Sequence, residues 1–363
     1  MRLMIVRVGA MGDILHALPA VTAWRARNPG ATIGWVAEPH WAPLLADTTL
    51  IDRVHLAPTR EWKRRPFASS TLRSIAKLRG ELRQERYDVC VDLQGSIRSA
   101  VIARMSGARR VIGADAPRER PARMFYGERV RTYAAHVIEH ACALLSAIDG
   151  NPLTAQAVRL SDDPAAEIWA AEIAAEDARE FVLLVPGAGW GAKQWPADHF
   201  RELAAALGSA GYRVLINASP AVSTPGPPSL AARIAAGTGA EIVPCTLAQL
   251  IALTRRAALV IGGDTGPVHL AAALGRPVIA LFGPTDPARN GPALPCSSSA
   301  GSDTVVLRSE QSRTDHRRLD VVESGLATIA PAQVIELALG RLERVTGRLA
   351  QTGGTLQEEE SDG

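Results

Sequence analysis

The first residues that could do chemistry form a glycine turn near the start of the chain, Gly9–Asp13. The turn follows the apolar run Leu3–Val8 and precedes the helix-like segment Ile14–Arg27. In a parallel α/β sheet, such a turn lies at the carboxyl end of a strand, where ligands bind. Asp13 fits two roles there: an N-cap of the helix, or a general base that takes a proton from a substrate. The catalytic role needs a second site that presents the other reactant.

A second glycine turn, residues 262–266, follows an apolar run and leads into another helix start. Its backbone N–H groups and the positive end of the helix dipole predict a pyrophosphate site. Thr265 can add a hydroxyl, and Asp264 either caps the turn or accepts a hydrogen bond from a sugar or ribose hydroxyl. His269 falls on the same helical face as Thr265. A capped helix with a hydrogen-bonded histidine is the structural alternative.

A third glycine loop, residues 186–196, follows the apolar run Phe181–Val185. It matches neither the P-loop nor the dinucleotide fingerprint, because its glycines are spaced as G-x-G-x-G. Gly187 and Gly189 still let the backbone approach a diphosphate. Lys193 would offer a positive charge to a leaving group, and a solvated surface lysine is the alternative.

One pattern points to a metal. Residues 136–140 read HVIEH, which matches a zinc-protease motif and would place His136 and His140 on one helical face. The chain offers no obvious third ligand nearby, so we do not favour a metallopeptidase. The chain also has no D-x-D, the usual ligand pair of a metal-dependent sugar transferase. We therefore predict no metal site and no cofactor.

The elements that must position these turns alternate between short apolar strands and helix-length segments, which predicts an α/β fold with parallel sheets. The alternation occurs twice, so we expect a Rossmann-like domain over residues 1–160 and a second over residues 161–330. A C-terminal helix follows over 331–346, with packing on the first domain as one option, and then a disordered tail over 347–363. Loops are predicted for 219–229 and 290–303.

The composition describes a globular protein with 363 residues, a net charge of +3 and 47% hydrophobic residues. It has neither a segment of about 20 apolar residues that could span a bilayer nor a signal-peptide pattern, so the expected location is the cytoplasm. Four scattered cysteines predict neither disulfides nor zinc. Basic residues concentrate in the first half, and they predict either an anionic partner or a solvated face. The two groups are Arg60, Lys63, Arg64 and Arg65, and Arg109, Arg110, Arg118, Arg120 and Arg123.

The motifs together resemble the lipopolysaccharide heptosyltransferase family, most of all its heptosyltransferase I members. The resemblance covers residue 1 to about residue 290 and is carried by MGDILHALPA, ARNPGATIGWVAEP, TREWKRR, DLQGSIRSA, HVIEH, VPGAGWGAKQWP and GGDTGPVHLAAALGRPVIALFGPTDP. It implies a GT-B fold, in which an acceptor-binding first domain and a donor-binding second domain face each other across a cleft.

The resemblance also implies roles for individual residues. Asp13 matches the family's catalytic base, and Lys193 matches the lysine that contacts the donor phosphates. The residues that match the block holding the heptose and diphosphate are Asp264, Thr265, Gly266 and His269. Arg60, Lys63 and Arg64 fall where the family places basic residues for the acceptor, to which we also assign Arg120. The expected reaction is inverting and metal-independent.

The implied partners are an ADP-heptose donor and a Kdo-lipid A acceptor, with peripheral contact at the inner face of the cytoplasmic membrane and no nucleic acid. Three other functions stay open from the sequence: transfer to a later core heptose, a nucleotide-sugar epimerase on the same architecture, and a non-catalytic sugar-nucleotide binding protein.

Overall fold

The computed structural model describes residues 1–47, 49–220, 228–292, 303–315 and 319–354. The chain divides into two compact units, the first mainly Met1–Ser161 and the second mainly from Asp162 onward. The sequence placed this boundary one residue earlier, between residues 160 and 161. Most of the two predicted loops, 219–229 and 290–303, lies outside the described residues.

The first unit contains a six-stranded sheet in which every strand pair is parallel. Its strands are β1 (Arg2–Val6), β2 (Thr32–Ala37), β3 (Arg53–Leu56), β4 (Val89–Asp92), β5 (Arg110–Ala114) and β6 (Glu128–Val130). Its helices are α1 (Met11–Arg27), α2 (Thr59–Arg64), α3 (Ser69–Gln84), α4 (Ile97–Met105) and α5 (Val137–Ser146), with short 3-10 helices at Pro39–Leu45 and Arg120–Phe125.

The second unit contains another six-stranded parallel sheet. Its strands are β7 (Phe181–Val185), β8 (Arg213–Ala218), β9 (Glu241–Pro244), β10 (Leu259–Gly263), β11 (Val278–Phe282) and β12 (Thr304–Arg308). Its helices are α6 (Pro164–Ala175), α7 (Ala197–Ser209), α8 (Leu230–Ala235), α9 (Leu247–Arg256), α10 (Gly266–Ala273), α12 (Ser324–Ala327) and α13 (Pro331–Gly354), with a 3-10 turn at Gly191–Lys193. The short helix α11 (Pro287–Asn290) follows β11, and its residues Ala288–Asn290 belong to the first unit.

The central strands are mostly apolar because both faces of each sheet are covered. Leu3, Met4, Ile5 and Val6 of β1 are fully buried, and every residue of β7 is buried. The sequence therefore located these strands. It missed β6 and β12, each of which lies at one edge of its sheet and carries half-exposed or charged residues. β6 has a single apolar residue, and the apolar run of β12 is only three residues long, so neither gives a strong strand pattern.

Both sheets have the strand order of dinucleotide-binding folds. The first is β3-β2-β1-β4-β5-β6, and the second, β12-β11-β10-β7-β8-β9, is the same order counted from β7. The winding reverses between β1 and β4 and between β7 and β10. Ligands of open parallel sheets bind at the carboxyl ends of the strands at such a reversal. The topology therefore singles out the loops that follow β1, β4, β7 and β10.

The C-terminal helix differs from its prediction in length and position. α13 extends to Gly354, so the predicted disordered tail begins as helix at residue 347, and residues 355–363 lie outside the description. α13 packs on α7 and adds Val334, Ala338 and Leu342 to the core of the second unit. Its buried face therefore lies in the second unit, whereas the sequence left packing on the first domain open.

Candidate functional site

The reversal point of the second sheet brings three loops together. The loop after β7 carries Lys193, the loop after β10 carries Asp264, and the loop after β11 carries Thr285. β7 and β11 are the two neighbours of β10. Because all three strands are parallel, their carboxyl ends meet at one edge of the sheet. Residues far apart in sequence thereby form one polar cluster, and α10 begins beside it.

Asp264 is the centre of this cluster, and its side chain is almost completely buried. One carboxylate oxygen lies 2.9 Å from Nε2 of His269. The other oxygen accepts a hydrogen bond from Thr285 Oγ1 at 2.7 Å and forms an ion pair with Lys193 Nζ. Both carboxylate oxygens are thus hydrogen-bonded, as a buried charge requires. The structure brings together three residues that the sequence selected, Lys193, Asp264 and His269, and adds Thr285 from a third loop.

The partners of Asp264 keep it ionised. Burial alone would raise the pKa of this carboxyl group. The hydrogen bond and electrostatic attraction from His269 and from Lys193 outweigh burial, so the pKa lies well below its ordinary value. Lys193 therefore sits beside a fixed negative charge, and its Nζ is also 4.8 Å from the ring centroid of Trp190. The ammonium group is held in place at the end of the glycine loop, with 13% of its side chain exposed.

The glycines around the cluster serve two different purposes. A Cβ on Gly263 would lie 2.5 Å from the carbonyl oxygen of Lys193, and a Cβ on Gly262 would collide with Val185. These two glycines are needed for the close packing of β10 against β7 and against the loop after β7. Gly187 and Gly189 are exposed, and no described atom lies within 4 Å of their Cβ positions. Packing within the described chain does not explain glycine there, whereas approach of a ligand to the backbone does.

The start of α10 offers further hydrogen-bond donors. Thr265 is the N-cap residue, but its side chain makes no capping bond. Among the described residues, its buried Oγ1 has no hydrogen-bond partner. Gly266 opens the helix, whose N-terminal end carries partial positive charge. Pro267 has no N–H, and the amides of Val268 and His269 donate to the Thr265 carbonyl, so Gly266 supplies the first-turn amide for a ligand. Asp264 does not cap this helix, because its side chain is bonded to His269, Thr285 and Lys193. The capping alternative for Asp264 is therefore wrong.

The first unit has its own polar cluster at the reversal between β1 and β4. Asp13 is the third residue of α1 and not its N-cap, which is Ala10. Its Oδ2 accepts a hydrogen bond from the Ala10 amide at 3.0 Å, and its Oδ1 pairs with Arg7 at 2.7 Å. The N-cap interpretation was thus wrong in position, although Asp13 does satisfy an amide at the helix start. Its side chain is 37% exposed, so the carboxylate is accessible to a ligand.

The loop after β4 supports this arrangement. Arg7 also donates to the carbonyl of Leu93, and the Val8 amide donates to Gln94 Oε1 at 2.8 Å. Asp92, at the end of β4, is fully buried and accepts hydrogen bonds from Tyr126 OH at 2.7 Å and from Ser99 Oγ at 2.8 Å. Burial raises the pKa of Asp92, against the effect of these hydrogen bonds. Arg7 and Asp92 were not selected from the sequence; the signal for Asp92 was a carboxylate as the last residue of a buried strand.

The predicted basic residues lie at the same carboxyl edge of the first sheet. Arg60, Lys63 and Arg64 belong to α2, which follows β3, and Arg120 begins the 3-10 helix after β5. All four side chains are exposed, and within the described ranges none forms an ion pair. β3 and β5 each lie two strands from β1, or roughly 10 Å across the sheet. The four cations therefore flank the β1 turn without contacting Asp13.

The HVIEH pattern has a structural explanation. His136 is the N-cap of α5, and its Nδ1 accepts a hydrogen bond from the Ile138 amide at 3.2 Å. His140 lies within the helix, and its pKa is lowered, first by burial. In the described part of the chain, no three histidine, cysteine or acidic side chains are grouped as a metal would need.

The cysteines are not at the surface where the structure describes them. Cys90, Cys142 and Cys245 are buried, and Cys296 lies outside the described residues. A search of the described helices finds none long and apolar enough to cross a bilayer.

Comparison with known proteins identifies the family. Residues 75–323 match the glycosyltransferase family 9 (heptosyltransferase). The chain is 30% identical over 294 residues to lipopolysaccharide heptosyltransferase 1 of Escherichia coli strain K12, covering 79% of this chain and 89% of that protein. It is 29% identical over 298 residues to the protein of the same name from Pseudomonas aeruginosa strain PAO1, covering 80% of this chain and 81% of that one.

A solved structure agrees in fold. The E. coli heptosyltransferase WaaC with ADP matches with a TM-score of 0.74 and 26% sequence identity, over 94% of this chain and all of that one. The E. coli ADP-heptose heptosyltransferase II matches with a TM-score of 0.73 at 22% identity, which supports the fold alone. The two Rossmann-like units are of the GT-B class, as predicted. The chain therefore belongs to glycosyltransferase family 9, the heptosyltransferases, and is a glycosyltransferase.

Proposed function

We propose that this glycosyltransferase transfers a heptose from ADP-L-glycero-D-manno-heptose to the Kdo-lipid A inner core of lipopolysaccharide. The observation that carries the proposal is the cluster of Lys193, Asp264, His269 and Thr285 at the reversal point of the second sheet. The names of the relatives support heptose as the transferred sugar, and the WaaC complex with ADP supports an adenine nucleotide.

The donor site follows from the chemistry of these groups. A diphosphate carries negative charge that increases as the bond to the sugar breaks. Lys193, the Thr265 hydroxyl, the Gly266 amide and the positive end of the α10 dipole are fixed groups that stabilise this charge without a metal ion. The open backbone at Gly187 and Gly189 lets the diphosphate approach the loop. Asp264 holds Lys193 in position.

Asp13 is the proposed general base. The acceptor hydroxyl attacks the anomeric carbon of the donor heptose, and its proton passes to the Asp13 carboxylate. The bond between the anomeric carbon and the diphosphate oxygen breaks, and ADP leaves with the electron pair. A single displacement inverts the anomeric configuration. The mechanism requires that the donor held by the second unit reach Asp13 of the first.

The acceptor is proposed to bind at the carboxyl edge of the first sheet. Kdo carries a carboxylate, and lipid A carries phosphates, so exposed cations suit both. Arg60, Lys63, Arg64 and Arg120 are the candidates, because they are exposed and have no competing carboxylate among the described residues. A lipid-linked acceptor also places the enzyme at the inner face of the cytoplasmic membrane, as a peripheral protein.

The experiment is an incubation of the purified chain with ADP-heptose and a Kdo-lipid A fragment in the presence of EDTA, read by mass spectrometry. We expect the acceptor to gain the mass of one heptose at an undiminished rate. An acceptor that must already carry a heptose would indicate transfer to a later core position. Conversion of the donor alone, without any acceptor product, would contradict the proposal and favour an epimerase or hydrolase.

A further inference from the structure

The connection between α2 and α3 in the first unit is strongly basic. We call residues 60–73 the α2–α3 tip. The tip contains one acidic residue, Glu61, and five basic residues, Arg60, Lys63, Arg64, Arg65 and Arg73. All five basic side chains are exposed, and none has an ion-pair partner in the described part of the chain. The tip therefore presents a concentrated positive charge that the protein itself does not neutralise.

The same tip exposes two large apolar side chains. Phe67 is 92% exposed, and Leu72, in the first turn of α3, is 57% exposed. Phe67 has the most exposed of the large apolar side chains among the described residues. A single exposed apolar residue needs no explanation, but apolar side chains placed among unpaired cations form the pattern of a membrane-surface segment.

Hydrogen bonds fix the tip in a defined shape. The Trp62 indole N–H donates to Ser74 Oγ at 3.1 Å, and the Thr71 hydroxyl donates to the Arg65 carbonyl at 2.7 Å. Trp62 also packs against the core of the first unit. Phe67 therefore projects from an anchored turn. Because the turn is already ordered, little conformational entropy would be lost when Phe67 enters a lipid surface.

We propose that the α2–α3 tip docks on an anionic phospholipid bilayer, with Phe67 and Leu72 in the interfacial region and Arg65 and Arg73 among the headgroup phosphates. Charge complementarity selects this occupant, because the cytoplasmic leaflet is negatively charged. The tip follows β3 and therefore lies at the carboxyl edge of the first sheet. If the proposed acceptor site is correct, docking brings this edge to the surface that holds the lipid-linked acceptor. The docking itself does not depend on heptose transfer.

Vesicle flotation of the full chain tests the proposal. The probes are vesicles of phosphatidylcholine alone and vesicles in which phosphatidylglycerol replaces part of it. We expect binding to the anionic vesicles only, and weaker binding at high salt. Removing two basic residues in R65Q/R73Q should lower the partition coefficient about 25-fold, at about fivefold per charge. The F67S variant should lower it roughly tenfold.

Matched controls come from the second unit. I168S removes an apolar side chain that is 63% exposed on α6, and R201Q/R233Q removes two exposed arginines. Both should bind vesicles like the wild type. Three results would overturn the proposal: an equal loss of binding in the control variants, unchanged binding in F67S and R65Q/R73Q, or binding to nucleic acid but not to vesicles.

A transfer assay separates docking from the proposed reaction. F67S should still transfer heptose to a lipid-free Kdo acceptor. Failure of the wild type in that assay would refute the proposed reaction and leave the vesicle result standing.

Discussion

The ion pair between Lys193 and Asp264 gives a prediction whose size follows from burial. The K193M variant keeps most of the side-chain volume and removes the charge. Because the side chains are only 13% and 5% exposed, Asp264 would be left as a buried carboxylate without its cation. Removing one partner of a buried pair costs about 3–5 kcal/mol. His269 and Thr285 still hydrogen-bond Asp264, so we expect the lower end, about 3 kcal/mol.

Thermal unfolding measures this loss. For a unit of this size, a destabilisation of about 3 kcal/mol corresponds to a decrease in Tm of about 6–12 °C in the transition of the second unit. The control is K77M. Lys77 is 80% exposed, and its Nζ lies 3.9 Å from Glu81 Oε1, so this is a loose ion pair at the surface. An exposed pair contributes about 0–1 kcal/mol, so K77M should change Tm by no more than about 4 °C, in the first unit's transition. Equal Tm values for K193M and wild type would refute the reasoning that Asp264 is a buried charge held by Lys193.

Three further predictions concern the same cluster. Thr285→Val removes a hydrogen bond to a charged group, so it should destabilise the second unit by about 1.5–3 kcal/mol in urea unfolding, and Thr285→Ser should retain most of that stability. Because the folded-state pKa of Asp264 is depressed, its ionisation stabilises the second unit above the unfolded-state pKa of about 4, and this contribution should be lost as the pH falls toward the folded-state value. Acid titration of Tm should show that loss in the wild type and not in Asp264→Asn. Gly263→Ala should lower Tm through contact with the Lys193 carbonyl, whereas Gly189→Ala should leave Tm unchanged and weaken ADP binding in calorimetry.

The sequence predicted much of the fold because the central strands are mostly apolar and buried. β1 and β7 are visible as apolar runs, and the glycine turns that follow β1, β7 and β10 mark the carboxyl edges of the sheets. β6 and β12 were not found, since β6 has a single apolar residue and the apolar run of β12 is only three residues long. The sequence therefore located the turns at the carboxyl edges of both sheets, but not every strand of those sheets.

The internal geometry of the site was less predictable. Lys193 and Asp264 are 71 residues apart, and only the strand order β11-β10-β7 shows that their loops meet. Thr285 comes from a third loop and donates to Asp264 for the same reason. The N-cap of α1 was placed three residues too late, at Asp13, because α1 begins at Met11 and Ala10 serves as the N-cap. These contacts depend on the tertiary arrangement of loops, which local sequence patterns do not specify.

The most direct test of the account compares transfer and donor binding in Asp13→Asn. Asparagine can keep the hydrogen bond from the Ala10 amide but cannot accept the acceptor's proton. Loss of a general base lowers the rate by about 100- to 10,000-fold. We predict that kcat for heptose transfer falls by that amount, while the Kd for ADP-heptose from calorimetry stays at its wild-type value. Transfer by Asp13→Asn at a rate close to wild type would contradict the central claim that Asp13 is the base.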